Sequence, residues 1–131
     1  MLDLRILLAV ALGGGLGSVL RYAVTFAMTQ RFGPGFPFGT WAINISGCLA
    51  IGFIAGLAQA RGFGPPAVRT FLIVGVLGGY TTFSTFAYDT LTLAGEGSHR
   101  LAFLYAGGSV LGGLLAAYLG LTAARALTID F

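Results

Sequence analysis

The sequence contains no lysine and a single cysteine, and its charged side chains are limited to seven arginines and four carboxylates, 8% of 131 residues. A soluble domain carries roughly 25% charged residues, so too little charge is present to solvate a globular surface. Disordered chains are polar, and this one is 56% hydrophobic with a mean hydropathy of +0.90, which excludes that class as well. One cysteine, Cys48, lies inside an apolar run without a partner, excluding disulfides and cysteine metal sites. The pI of about 9.5 rests on scattered arginines with no basic cluster, so nucleic acid is not an expected partner. The solvent that fits this composition is lipid.

Four apolar runs are each long enough to cross a bilayer, which takes about 20 residues: Ile6–Met28, Trp41–Ala60, Phe71–Leu93 and Leu101–Ala126. Short Gly/Pro or polar segments separate them, at 31–37, 61–66 and 95–100. The first run is too long for a signal-peptide core and three more follow it, so it reads as a retained helix. The expected fold is an all-α membrane protein, one domain of four transmembrane helices over residues 1–131, with nothing left for an extramembrane domain. With the N-terminus on one side, that side holds Arg5, Arg61, Arg69 and Arg125, and the other holds Arg31 and Arg100 with Arg21 near it. So weak a positive-inside bias is compatible with insertion in both orientations, and hence with an antiparallel pair; the alternative is a single orientation with a cytoplasmic C-terminus.

The 22 glycines, well above the usual share, sit inside the apolar runs. Each run holds a Gly-xxx-Gly spacing: Gly13/Gly17, Gly52/Gly56, Gly75/Gly79 and Gly108/Gly112. Small residues one turn apart let helix backbones approach in lipid. A tightly packed bundle follows, without a wide aqueous pore or a large drug pocket.

Polar residues within spans carry the functional argument, because each must find a partner or line water. They are Arg21, Asn44, Ser46, the segment from Thr81 to Thr85, and Ser109 with Tyr105 a turn before it. Gly78 and Gly79 precede the hydroxyl cluster mid-span and weaken a helix by about 1 kcal/mol each. A third helix broken near the midplane is one reading, with carbonyls exposed for a small cation; the other is an intact helix whose hydroxyls bond back to the preceding turn. Phe83 and Phe86 share a face and either fill a core, face lipid, or aim their positive ring edges at an anion, with Thr82, Ser84 and Thr85 adding hydroxyl donors. Thr40 and Asn44 also share a face, presenting donors along one line or bonding between helices. Arg21, roughly 22 Å into a core of about 30 Å, either snorkels to the far interface or makes a cationic vestibule.

A proton-coupled exporter of cations needs an embedded carboxylate, and only Asp89 falls within a span; Asp3, Glu96 and Asp130 lie at ends or in a loop. No catalytic triad, zinc-ligand cluster or phosphate loop is present and His99 lies in a loop, so an enzyme is not expected. A small cation/proton antiporter using Asp89 and a packing subunit of a larger complex remain as alternatives.

Three segments in order resemble the Fluc, or CrcB-type, family of microbial fluoride channels: Gly13–Tyr22 (GGGLGSVLRY), Gly39-Thr40 with Asn44 and Gly47, and Gly78–Phe86 (GGYTTFSTF). The resemblance covers nearly the whole chain and implies an antiparallel, dual-topology homodimer in the bacterial inner membrane. Such a dimer has two narrow pathways exporting fluoride passively. It also implies a structural, non-transported sodium ion on the two-fold axis, held by backbone carbonyls matching Gly78 and Thr81. Phe83 and Phe86 match the pore phenylalanines and Asn44 the pore asparagine. Arg21 matches the first-helix arginine, and Thr40, Tyr105 and Ser109 match polar positions of the pathway, which Thr82 or Ser84 could complete. The match departs at Gly113, where some members carry a second hydroxyl residue.

Overall fold

The computed structural model describes residues 3–62 and 64–129; Phe63 of the second connection and Asp130 lie outside them. The regular secondary structure of the described residues is all helical, with four segments long and apolar enough to span a membrane: Leu4–Phe32, Phe38–Ala60, Pro66–Gly95 and His99–Leu127. Each runs a few residues past the apolar run expected from the sequence. The local reasons for the ends are visible. The Asp3 carboxylate accepts from the Arg5 amide at 2.9 Å and caps the first helix. Gly33, Gly62 and Gly97 take positive φ and turn the chain out of the helices. Pro66 opens the third span at its first turn, where a missing N–H costs nothing, rather than closing the connection before it.

The third span is not uniform. Pro66–Thr70 is α-helical, Phe71–Leu77 is wound as a wider π-helix, and Gly78–Tyr80 returns to α geometry. Thr81 and Thr82 are then extended, with ψ of 157° and 118°, and a second arm starts at Phe83 and runs to Gly95. Its two arms keep different company. The first arm packs on the first helix (Leu4–Phe32), and the second arm packs on the fourth helix (His99–Ile129). Among the described residues the first helix does not reach the second arm, and the fourth helix does not reach the first. The extended pair is where the span changes partners.

Glycine sets both main seams. In the first, carbonyl oxygens of Phe71 and Val76 stand where Cβ atoms on Gly13 and Gly17 would be, and a Cβ on Gly79 would lie 2.5 Å from the Gly14 oxygen. In the second, between the second helix (Phe38–Arg61) and the fourth, Gly52 meets Ala117, Gly56 meets Ala124 and Gly120 meets Leu49. Apart from that of Gly56, whose nearest neighbour is the Ala124 side chain, these are backbone-to-backbone approaches that only glycine permits. The fourth helix departs from the Gly-xxx-Gly expectation: Gly108 has nothing within 4 Å and Gly112 meets only the Ile45 side chain, so Gly120 makes the close contact instead. Gly78 is likewise bare, its nearest neighbour 3.8 Å from a built Cβ.

Candidate functional site

The break is held by a side chain from another helix. In a continuous helix the Thr82 N–H would donate to the Gly78 carbonyl. Here it donates to Asn44 Oδ1 at 2.8 Å, while Asn44 Nδ2 donates to the Thr82 carbonyl at 3.0 Å. The amide thus pairs with the extended residue as a neighbouring strand would, satisfying backbone that lipid would leave orphaned. One Nδ2 hydrogen remains uncommitted to this pair. The Gly78 carbonyl, in turn, is released from its ordinary helical donor.

The hydroxyl cluster divides its work. Thr81 Oγ1 donates back to the Leu77 carbonyl at 2.9 Å. Thr82 is buried, and its Oγ1 accepts from the Thr85 N–H at 3.2 Å, capping the second arm. The same oxygen lies 3.1 Å from Thr85 Oγ1 and 3.2 Å from Ser84 Oγ. Arg21 joins from the first helix, its Nη1 donating to the Thr81 carbonyl at 3.4 Å. Ser46 joins from the second helix, its hydroxyl 2.9 Å from that of Tyr80.

Beside the break lies an open groove of about 390 Å³, lined by Asn44, Gly47, Cys48 and Ile51 of the second helix, Ile73, Leu77, Gly78, Thr81 and Thr82 of the third span, Phe83 and Phe86, and Ser109 and Val110. Asn44, Gly78, Thr81, Thr82, Phe83, Phe86 and Ser109 are therefore brought to one surface. No charged side chain lines it. The Ser109 oxygen is fully buried and has no hydrogen-bond partner among the described residues. Phe83 lines the groove and is 78% exposed, its ring 5.5 Å from that of Phe86 at 44°.

From Phe86 a line of aromatic rings leads away from the groove. Tyr105, only 1% exposed, is 5.5 Å from Phe86 and meets Phe36 edge-on at 5.5 Å; Phe38 follows at 4.7 Å from Phe36. The Tyr105 hydroxyl donates to Asp89 Oδ2 at 3.3 Å, and buried Thr40 lies beside it. Thr40 and Tyr105 thus stand behind Phe86 rather than in the groove, Ser84 reaches it only through Thr82, and Arg21 touches it only at the Thr81 carbonyl. Sequence reasoning missed Phe36, whose place in the connection between two helices hides its contact with Tyr105. It also missed the apolar wall of Ile51, Ile73, Leu77 and Val110, which carries no local signal.

No group of three or more His, Cys, Asp or Glu side chains capable of holding a metal occurs among the described residues. What a cation could use is backbone oxygen, at Gly78 and Thr81.

The family model for "CrcB-like protein, Camphor Resistance (CrcB)" matches residues 8–121. A protein of Nitrobacter hamburgensis named Fluoride-specific ion channel FluC 2 is 47% identical over 121 residues, 92% of this chain and 98% of the relative. Proteins named Fluoride-specific ion channel FluC from Paracoccus denitrificans and Chloroflexus aurantiacus are 49% and 44% identical, each over 94% of its own length and over 92% and 91% of this chain. With four spanning segments and a family match from the first helix into the fourth, this multi-pass membrane protein belongs to the CrcB family.

Proposed function

We propose that this chain forms a fluoride channel, not an enzyme, and that it lets fluoride leave the cytoplasm down its gradient. The observation that carries the reading is the likeness to relatives named Fluoride-specific ion channel over 91–92% of this chain. The groove supports it chemically. Fluoride is small and strongly hydrated, so a dry path must replace its water with donors that do not hold it too long. The free Asn44 N–H, the unpartnered Ser109 hydroxyl and the positive edges of Phe83 and Phe86 are neutral groups of moderate strength. Thr40, Thr82, Ser84 and Tyr105 extend the polar line on either side, and Arg21 adds a positive field near the break.

A complete path needs a second surface, because the groove is open along one side in the single chain. An antiparallel second copy in the bacterial inner membrane is the reading we adopt, supported by the near-even split of arginines between the two faces and by the bare Gly78 and Gly108. The break of the third span then lies near the bilayer midplane. The carbonyls of Gly78 and Thr81 suit a structural sodium ion, which binds oxygen ligands exposed by unwound helices. The Gly78 oxygen has lost its helical donor, which fits; the Thr81 oxygen is shared with Arg21, so two carbonyls from each copy would make the set. The sodium would supply fixed positive charge between the copies, while the donors of each chain handle the anion.

A cation/proton antiporter is disfavoured because no carboxylate lines the groove and Asp89 is engaged by Tyr105. Purified protein in fluoride-loaded liposomes, followed with a fluoride electrode, tests the proposal. Efflux above that of empty vesicles, independent of a pH gradient, is the expected result. No efflux above the empty vesicles overturns it.

A further inference from the structure

Cys48 is half-buried on the second helix and lines the groove one turn beyond Asn44. It faces the fourth helix at a bare position. A Cβ built on Gly113 would stand 3.2 Å from Cys48 Sγ, so the thiol already fills space that a side chain at 113 would need. One turn before Gly113, the Ser109 hydroxyl is buried in the groove wall with no partner among the described residues. A hydroxyl left so keeps a donor hydrogen to spare.

We propose that Cys48 is part of the anion path: its S–H, contributed by the second helix, occupies the level at which the fourth helix is bare at Gly113, and continues the polar line that starts at Ser109. The inference rests on the channel reading above. A thiol is a weak donor, in keeping with a site that must release its ion. The geometry adds a practical consequence: a thiol lining the path is open to small thiol-directed reagents, and a group attached there narrows the path.

The chain has one cysteine, so labelling is unambiguous. Proteoliposomes are treated with methyl methanethiosulfonate. The Cys48 thiolate, its proton given to buffer, attacks the reagent's sulfenyl sulfur, forming an S–S bond and releasing methanesulfinate. The expected result is an S-methylthio adduct on Cys48 by mass spectrometry and a loss of fluoride efflux of about tenfold or more, since the narrowed path must strip and pass the ion with less room. Thiol reductant restores efflux, and the Cys48→Ser channel, whatever its own rate, shows the same efflux before and after the reagent. An adduct that leaves efflux within about twofold of the untreated rate overturns the proposal. So does the absence of an adduct in the folded channel when detergent-unfolded protein is labelled, or equal inhibition of Cys48→Ser. Untreated protein that releases no fluoride fails at the earlier step and overturns the channel reading itself.

Discussion

Replacing Asn44 by alanine should both loosen the break and slow the ion, and the two effects are separable. The amide makes bonds of 2.8 and 3.0 Å to the N–H and C=O of Thr82, a buried residue with no helical alternative for that N–H. Leaving a buried donor unsatisfied costs about 1–3 kcal/mol, and 1.4 kcal/mol is tenfold, so the Thr82 amide should exchange with deuterium roughly 5- to 150-fold faster in Asn44→Ala. Asn44→Asp is the informative companion. Its carboxylate still accepts from the Thr82 N–H, so much of the amide protection should survive, but it adds a negative charge to an otherwise uncharged groove. At a separation of about 5 Å and an effective dielectric of 20, the repulsion on a passing anion is about 3 kcal/mol, a loss of flux on the order of a hundredfold. Hydrogen exchange and fluoride efflux measured on the same preparations give the answer. If Thr82 exchanges at the wild-type rate in Asn44→Ala, the amide does not hold the break, and if Asn44→Asp conducts normally, the groove is not the path.

The glycine seams make a contrasting pair: Gly17→Ala drives a Cβ into the Val76 carbonyl and should abolish the monodisperse folded species in detergent, whereas Gly108→Ala, with nothing within 4 Å, should leave the subunit fold intact; size-exclusion profiles distinguish them. Phe83→Ile and Phe86→Ile should each slow efflux by about tenfold or more without preventing dimerisation. Because Phe86 packs on buried Tyr105 while Phe83 is 78% exposed, only Phe86→Ile should also lower the unfolding midpoint of the subunit. If the Gly78 and Thr81 carbonyls hold sodium, replacing sodium by a large organic cation throughout purification should reduce efflux, and Arg21→Gln, which removes the charge beside the Thr81 oxygen, should lower the sodium concentration needed to restore it.

The four spans were legible because apolar length alone determines them in a chain with so little charge. The break was legible only in part. Gly78-Gly79 marks the right stretch, yet the extended residues are Thr81 and Thr82, and Gly79 spends its missing side chain on contact with Gly14. A glycine pair in a membrane helix can loosen it or bring a neighbour close, and local sequence does not separate the two. What selects Thr82 is the Asn44 amide, 38 residues away. Thr82 as an N-cap, three residues ahead of the amide that it receives, follows an ordinary helix-start pattern once the break is placed. The aromatic line from Phe86 through Tyr105 to Phe36 joins the second arm, the fourth helix and a connection, so no periodicity within one segment could reveal it.

The distribution of charge explains why the groove is built from neutral groups. A guanidinium in direct contact with an anion at 4 Å and an effective dielectric of 20 contributes about 4 kcal/mol, enough to lengthen its residence about a thousandfold. A path lined that way would bind rather than conduct. The chain instead puts its one deep arginine on the first helix, against the Thr81 carbonyl at the edge of the groove, where in the proposed channel it would bias the local field without becoming a ligand. The one carboxylate within the spans is treated in the complementary way: Asp89 is taken up by the Tyr105 hydroxyl behind Phe86, outside the groove lining. Both charges are therefore engaged by partners, the Thr81 carbonyl and the Tyr105 hydroxyl, and neither side chain lines the groove. The path proposed above would then leave the contact energies to an amide N–H, a hydroxyl, a thiol and ring edges, each weak alone.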